Sequence, residues 1–139
     1  MKQNEPVSKI MTSELKTVHV GQKLSEARHL LAESKFDHVP VVTGQKLVGI
    51  LSSGDVMRLT FDAGSADERS MDAVLDHQFT IEGTMTKKLV TIKASDPIRH
   101  AAKLLVDGPY HCLPVVDDGE KLLGLVTSTD LIRYLLDQY

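Results

Sequence analysis

Two stretches of the chain carry the same order of hydrophobic and polar positions. Each opens on a short alternating segment, Thr17-Val18-His19-Val20 in the first and Leu89-Val90-Thr91-Ile92 in the second, which predicts a strand. Leu24, Ala27, Leu30 and Leu31 then fall at helical spacing and predict a helix over 24–34. Its counterpart over 96–107 starts well, with Ser95 or Asp96 as a cap and Pro97 suited to the first helical position. Gly21-Gln22-Lys23 is a weaker start for the first helix. Paired apolar runs follow, His38 to Val42 with Leu47 to Leu51, and Leu113 to Val116 with Leu122 to Val126. Gly44 lies in the turn of the first pair and Asp117-Asp118-Gly119 in that of the second, so each pair reads as a hairpin. A closing helix is predicted over 55–61 and again over 130–138. Between the stretches, Asp62-Ala63-Gly64-Ser65 ends a helix, and 66–77 predicts another with Met71, Val74 and Leu75 on one face. That helix either caps the module or links its halves.

The likeness is a repeat in register. Met11-Thr12 recurs as Met85-Thr86, an offset of 74 that also carries Leu15 to Leu89, Thr17 to Thr91, Ala27 to Ala101 and Pro40-Val41-Val42 to Pro114-Val115-Val116. The second hairpin turn is one residue longer, so the offset becomes 75 for Gly49/Gly124, Ser53/Ser128, Asp55/Asp130 and Arg58/Arg133. A slip confined to a turn leaves strands and helices aligned. The expected organisation is repeat one over 1–62, a linker with a helix over 63–79, and repeat two over 80–139.

Composition narrows the function classes. The chain has 139 residues, 42% hydrophobic and 25% charged, which is globular and not disordered. Aromatics are 4% with no Trp, so Val, Leu, Ile and Ala must build the core. A net charge of −3 argues against a nucleic-acid binder, which normally shows a basic stripe. Cys112 is the one cysteine; within an apolar run it reads as a small buried hydrophobe. The start, MKQNEPVSK, carries no apolar stretch, and no membrane span is visible, so a cytoplasmic protein is expected. No Walker loop, Gly-x-Gly-x-x-Gly or Gly-x-Ser-x-Gly elbow appears, and the six histidines lack metal-ligand spacing. The expectation is a non-enzyme with no metal site.

The repeated motifs are Met-Thr, Pro-Val-Val, and a glycine-led strand running into a helix. The last stands as Gly49-Ile50-Leu51-Ser52-Ser53-Gly54-Asp55 and Gly124-Leu125-Val126-Thr127-Ser128-Thr129-Asp130. Over about Val7 to Leu136 the chain resembles a tandem pair of CBS (cystathionine-β-synthase-type) domains. The resemblance implies an α/β (α+β) fold of two pseudo-symmetric repeats, each strand–helix–strand–strand–helix, packed sheet to sheet. It also implies a homodimer and clefts between the repeats that take AMP, ADP, ATP, S-adenosylmethionine or a related ligand. Such pairs usually regulate another protein, here a separate one. The alternative is a ligand-free dimerisation module, to which the apolar helix Leu131-Ile132-Arg133-Tyr134-Leu135-Leu136 is suited.

An ionised carboxylate accepts hydrogen bonds without donating any, so one aspartate can take both hydroxyls of a ribose. A helix start beside it offers free N–H groups and a positive dipole end to phosphate. Asp55 and Asp130 suit the first task, and Ser52 and Thr127 add hydroxyls. The same Ser/Thr-x-x-Asp spacing is close to a helix capping box, and the two roles can coexist. By resemblance, Thr12 and Thr86 lie near phosphate, Lys16 and Val90 lie beside the base, and Asp37, His38, His111 and Cys112 offer backbone groups to adenine. Arg58 and Arg133, three residues after the aspartates, read as intrahelical partners that a triphosphate could also recruit. Gly54 and the weaker first helix make Thr127/Asp130 the better-formed motif.

Overall fold

The computed structural model describes residues 4–34, 36–64 and 67–139. Its chain contacts divide into two units. One holds residues 16–44 and 48–88; the other holds the N-terminal segment through Leu15, residues 45–47 and residues 89–139. They are called below the first-repeat and second-repeat units, after the hairpin each contains.

The first-repeat unit is built on β1 (Val18–His19), α1 (Leu24–Glu33), β2 (His38–Thr43), β3 (Lys46–Ser52, from Val48 on), α2 (Ser53–Asp62), α3 (Glu68–Gln78) and α4 (Ile81–Thr84). Its three-stranded sheet runs β1-β2-β3, with β1 and β2 parallel and Val18 opposite Val41. The second-repeat unit contains β4 (Ile92–Lys93), α5 (Ile98–Asp107), β5 (Cys112–Val116), β6 (Leu122–Thr127) and α6 (Ser128–Asp137), plus a 3-10 turn at Val7–Lys9. Its sheet runs β4-β5-β6, with Ile92 opposite Val115 in the parallel pair and Leu113 opposite Val126 in the antiparallel one. The fold is mixed α/β, with the repeated order the sequence pattern predicts.

Corresponding residues fill the two cores. Val18, Leu24, Ala27, Val39, Val41 and Leu51 are buried in the first, and Ile92, Ile98, Ala101, Leu113, Val115 and Val126 in the second. The segments before each first strand carry one more such pair, exchanged between the units: Val7 is buried in the second-repeat core and Ile81 in the first. The reason is backbone pairing. Val7 N–H donates to Asp96 O at 2.8 Å and Thr12 N–H to Leu125 O at 2.8 Å, and Leu125 N–H returns a bond to Thr12 O at 3.0 Å. In the same way Thr86 and Ile50 exchange bonds of 2.8 and 3.0 Å. The Tyr134 hydroxyl on α6 donates to the Glu5 carboxylate, which raises the phenol above its ordinary range and adds a tie to the N-terminal segment.

Several boundaries differ from the sequence pattern. The opening strands shorten to two residues each, Val18–His19 and Ile92–Lys93. Pro97 is the residue before α5 and not its first helical residue, and no side chain caps that end; Asp96 Oδ2 instead accepts the Lys93 N–H at 2.8 Å. The closing helices start two residues earlier than predicted, at Ser53 and Ser128. In the longer β5–β6 turn, Glu120 and not Gly119 takes the left-handed conformation, with φ of 66°. Asp117 Oδ1 holds that turn by accepting N–H bonds from Gly119 and Lys121, each 2.9 Å.

The helix after repeat one spans Glu68–Gln78; its expected start, Ala66, and the preceding Ser65 lie outside the described residues. It serves α1 as a cap supplied from elsewhere in the unit. Lys23 gives α1 no side-chain cap, but Asp76 accepts the Ser25 N–H at 2.8 Å and the Ser25 hydroxyl at 2.7 Å. Met71 and Leu75 pack beneath this contact in the core, while Val74 is only partly buried. One turn away, Asp72 meets His29 at 2.6 Å and Arg28 at 3.0 Å.

The His29 ring, more than the Arg28 guanidinium, holds the Asp72 carboxyl below its ordinary value of 3.8, against an opposing push from burial. A carboxylate depressed in the folded state stabilises above its unfolded value, and that stability drains away as pH falls through the folded value. Asp72→Asn should therefore cost about 0.5–1 kcal/mol at pH 5, the range of a partly exposed ion pair. The gap to the wild type should close as pH drops below 3.8. Urea unfolding at pH 5 and pH 3 checks this; a gap that widens in acid would contradict it.

Candidate functional site

The expected site residues separate into two matching sets. Lys16, Asp37, His38, Ser52, Asp55 and Thr86 belong to the first-repeat unit, and Val90, His111, Cys112, Thr127, Asp130 and Thr12 to the second. Each unit therefore holds one member of every repeated position. Sequence order places Thr12 in repeat one, yet its hydroxyl donates to Asp130 Oδ1 at 3.2 Å.

Both aspartates sit at the head of a closing helix and serve it. Ser52 and Asp55 form a capping box: the Ser52 N–H donates to Asp55 Oδ2 at 3.0 Å and the Asp55 N–H to Ser52 Oγ at 3.1 Å. At the second head, Asp130 Oδ2 accepts the Thr127 N–H at 2.9 Å and the Thr127 hydroxyl at 3.4 Å. The arginines bend back onto the same carboxylates, Arg58 onto Asp55 and Arg133 onto Asp130, as their spacing predicts. The environments differ. The Asp55 side chain keeps 16% of its surface exposed, the Asp130 side chain 5%.

The remaining positions flank these heads. The Asp37 carbonyl accepts the Ser53 N–H at 2.8 Å, leaving one of its two lone pairs. His38 opens β2 half-buried, and Asp37, Lys16, Thr86 and His111 are exposed. Val90 is half-buried against the second core. Cys112 lies across from Thr127 in the β5–β6 ladder. Burial, with Asp130 adding its charge, pushes the Cys112 thiol up to about 12, the inert state expected of a small buried hydrophobe.

The motif glycines have a steric cause that sequence reasoning missed. A Cβ at Gly124 would lie 2.9 Å from the Met11 sulfur and 2.9 Å from the Thr12 carbonyl oxygen. At Gly49 it would run into the Met85 sulfur and lie 3.1 Å from the Thr86 carbonyl oxygen. The Met-Thr segment thus lies directly on the glycine of the strand it joins, in both units. The signal was present as two motifs that repeat together. A surface depression of about 400 Å³ lined by His100, Lys103, Leu104, Asp107, Gly108 and Tyr110 includes none of the candidate residues.

Among the described residues, no group of three His, Cys, Asp or Glu side chains is placed to hold a metal ion. No described helix is long and apolar enough to cross a membrane.

Known proteins share this fold. The chain is similar to the CBS domain pair of protein MJ0100, solved with 5′-methylthioadenosine and S-adenosyl-L-methionine. The two are 28% identical with a TM-score of 0.77, over 94% of this chain and 99% of that one. It is also similar to CBSX2 of Arabidopsis thaliana, solved with AMP, at 26% identity and a TM-score of 0.79, over 95% of this chain and 96% of that one. A homoserine O-acetyltransferase of Methanohalobium evestigatum is 31% identical over 93% of this chain but only 24% of its own length. The chain spans between 20% and 48% of the first four curated relatives it matches, and the enzyme names that three of them carry describe much longer proteins. The CBS domain model matches residues 7–62 and again 80–137, and with the duplicated sheets and helix heads in place, the chain belongs to the CBS domain family as a tandem pair.

Proposed function

We propose that this CBS pair is a regulatory module that binds an adenosine-containing ligand and controls a separate protein. The observation that carries the reading is the twinned helix head: in both units an aspartate carboxylate stands at the start of a ten-residue helix, beside a hydroxyl residue. Asp55 and Asp130 take ribose hydroxyls there. Ser52, Thr127, Thr12 and Thr86 lie toward phosphate, where the helix N-termini add N–H donors. Lys16 and Val90 border the base, and the backbone at Asp37, His38, His111 and Cys112 reads its edge. AMP, ADP, ATP and S-adenosylmethionine share the adenosine that this set recognises. That MJ0100 and CBSX2 were solved with such ligands supports the same chemistry here. Control of a partner requires the ligand to bind two states of the module with different affinity, since equal affinity shifts nothing.

A second reading is a homodimerising module without a ligand. Ile132, Leu135 and Leu136 are exposed along α6, and Met57 and Phe61 along α2, which favours an apolar interface. Melting against AMP, ADP, ATP, S-adenosylmethionine and GTP separates the two readings. A ligand at 100 times its dissociation constant should stabilise by about 2.7 kcal/mol, a rise on the order of 10 °C at this chain length. A rise with an adenosine ligand but not GTP supports the sensor. No rise in nucleotide-free protein that sediments as a dimer supports the second reading.

A further inference from the structure

We infer that the two helix heads are not equivalent sites: Asp55 takes the nucleoside diol first, and the Thr12 hydroxyl keeps the Asp130 head closed to it. The inference rests on the reading that these aspartates hold ribose. It follows from counting acceptor capacity. An ionised carboxylate offers about four lone-pair directions, two on each oxygen. Asp130 has a donor for each. Oδ1 accepts from the Thr12 hydroxyl at 3.2 Å and from Arg133 at 3.4 Å. Oδ2 accepts from the Thr127 N–H at 2.9 Å and the Thr127 hydroxyl at 3.4 Å.

Asp55 is less fully occupied. Among the described residues, its donors are the Ser52 N–H on Oδ2 and Arg58 on Oδ1. One lone pair therefore remains on each oxygen, the arrangement two neighbouring ribose hydroxyls need. Its exposure, 16% against 5% for Asp130, also lets a ligand reach it.

The difference does not come from the motif, since both heads read Ser/Thr-x-x-Asp. It comes from the Met-Thr segments. Each is bridged to the strand beside its head, Thr12 to Leu125 and Thr86 to Ile50, but only Thr12 turns its hydroxyl onto the carboxylate. A ribose at Asp130 must displace that hydroxyl from a segment held by paired backbone bonds. The N-terminal segment is thereby a latch on one of the two heads, and a ligand that opened it would disturb the docking of residues 4–12.

Calorimetric titration and equilibrium dialysis with AMP and S-adenosylmethionine test this. The wild type should take up about one equivalent, one for the single carboxylate with acceptors to spare. Asp55→Asn should weaken that uptake by about tenfold or more, the loss of a charge-assisted hydrogen bond. Thr12→Val keeps the β-branched shape and the backbone pairing and frees one acceptor on Asp130 Oδ1; a diol then has only the rotatable Thr127 hydroxyl, 3.4 Å from Oδ2, left to displace, and uptake should rise above one equivalent. Two equal equivalents in the wild type would overturn the inference. So would a single site that Asp130→Asn removes and Asp55→Asn spares, or a Thr12→Val protein that stays at one. Failure of the wild type to bind any adenosine ligand would overturn the sensor reading itself, and the latch with it.

Discussion

Asp130→Ala should unfold at lower denaturant than any other substitution at the helix heads, with a loss of about 3 kcal/mol. The change removes the partner of the Thr12 hydroxyl, of the Thr127 N–H and hydroxyl, and of Arg133, at a position only 5% exposed. The Thr127 N–H is one of the first donors of α6 and has no further turn to bond to. Arg133 is well exposed and loses little. Asp55→Ala removes two contacts at a more open carboxylate and should cost about 1 kcal/mol, the worth of an exposed cap. Urea unfolding of the two variants beside the wild type is the check. Losses of equal size would mean that the Thr12 contact contributes no stability.

Leu113→Ala should cost about 3–4 kcal/mol, a drop on the order of 10 °C in melting temperature. Leu113 is fully buried on β5, the central strand of its sheet, among Val7, Ile92, Ala101, Val115 and Val126. Close-packed strands on both sides leave little freedom to collapse into the cavity. Its repeat counterpart, Val39, is buried at the same place on β2 but offers fewer carbons, so Val39→Ala should cost about 2 kcal/mol. Scanning calorimetry of both variants reads the difference. Equal losses would show that the core around Leu113 relaxes around the cavity.

Most of the fold was legible because its signals are local. Strands and helices announce themselves through hydrophobic period, and duplication supplies an internal control. The same spacing at Leu24/Ala27 and Ile98/Ala101 marks the same buried helix face. The acidic helix starts were legible for the same reason, since a cap acts over three residues. Cys112 was readable as inert from its apolar neighbours, and its buried thiol agrees. The start of α1 was not legible, because its cap is Asp76, 51 residues further along the chain. Only Gly21 to Lys23 is visible locally, and that stretch looks weak.

By itself, then, the sequence determined the repeated α/β units, their core residues, the family and the residue types available at each helix head. These follow from periodicity and short-range spacing, which do not depend on how distant segments meet. The tertiary structure alone decided which residues share a head. The bare glycines Gly49 and Gly124 admit the Met-Thr segments, and backbone pairing then draws the N-terminal segment through Leu15 into the second-repeat unit and residues 80–88 into the first. That exchange set the Thr12 hydroxyl on Asp130 across 118 residues of chain and left Asp55 with acceptors to spare. A hydrogen bond of that kind depends on a few tenths of an ångström in packing, which no linear pattern of residue types encodes.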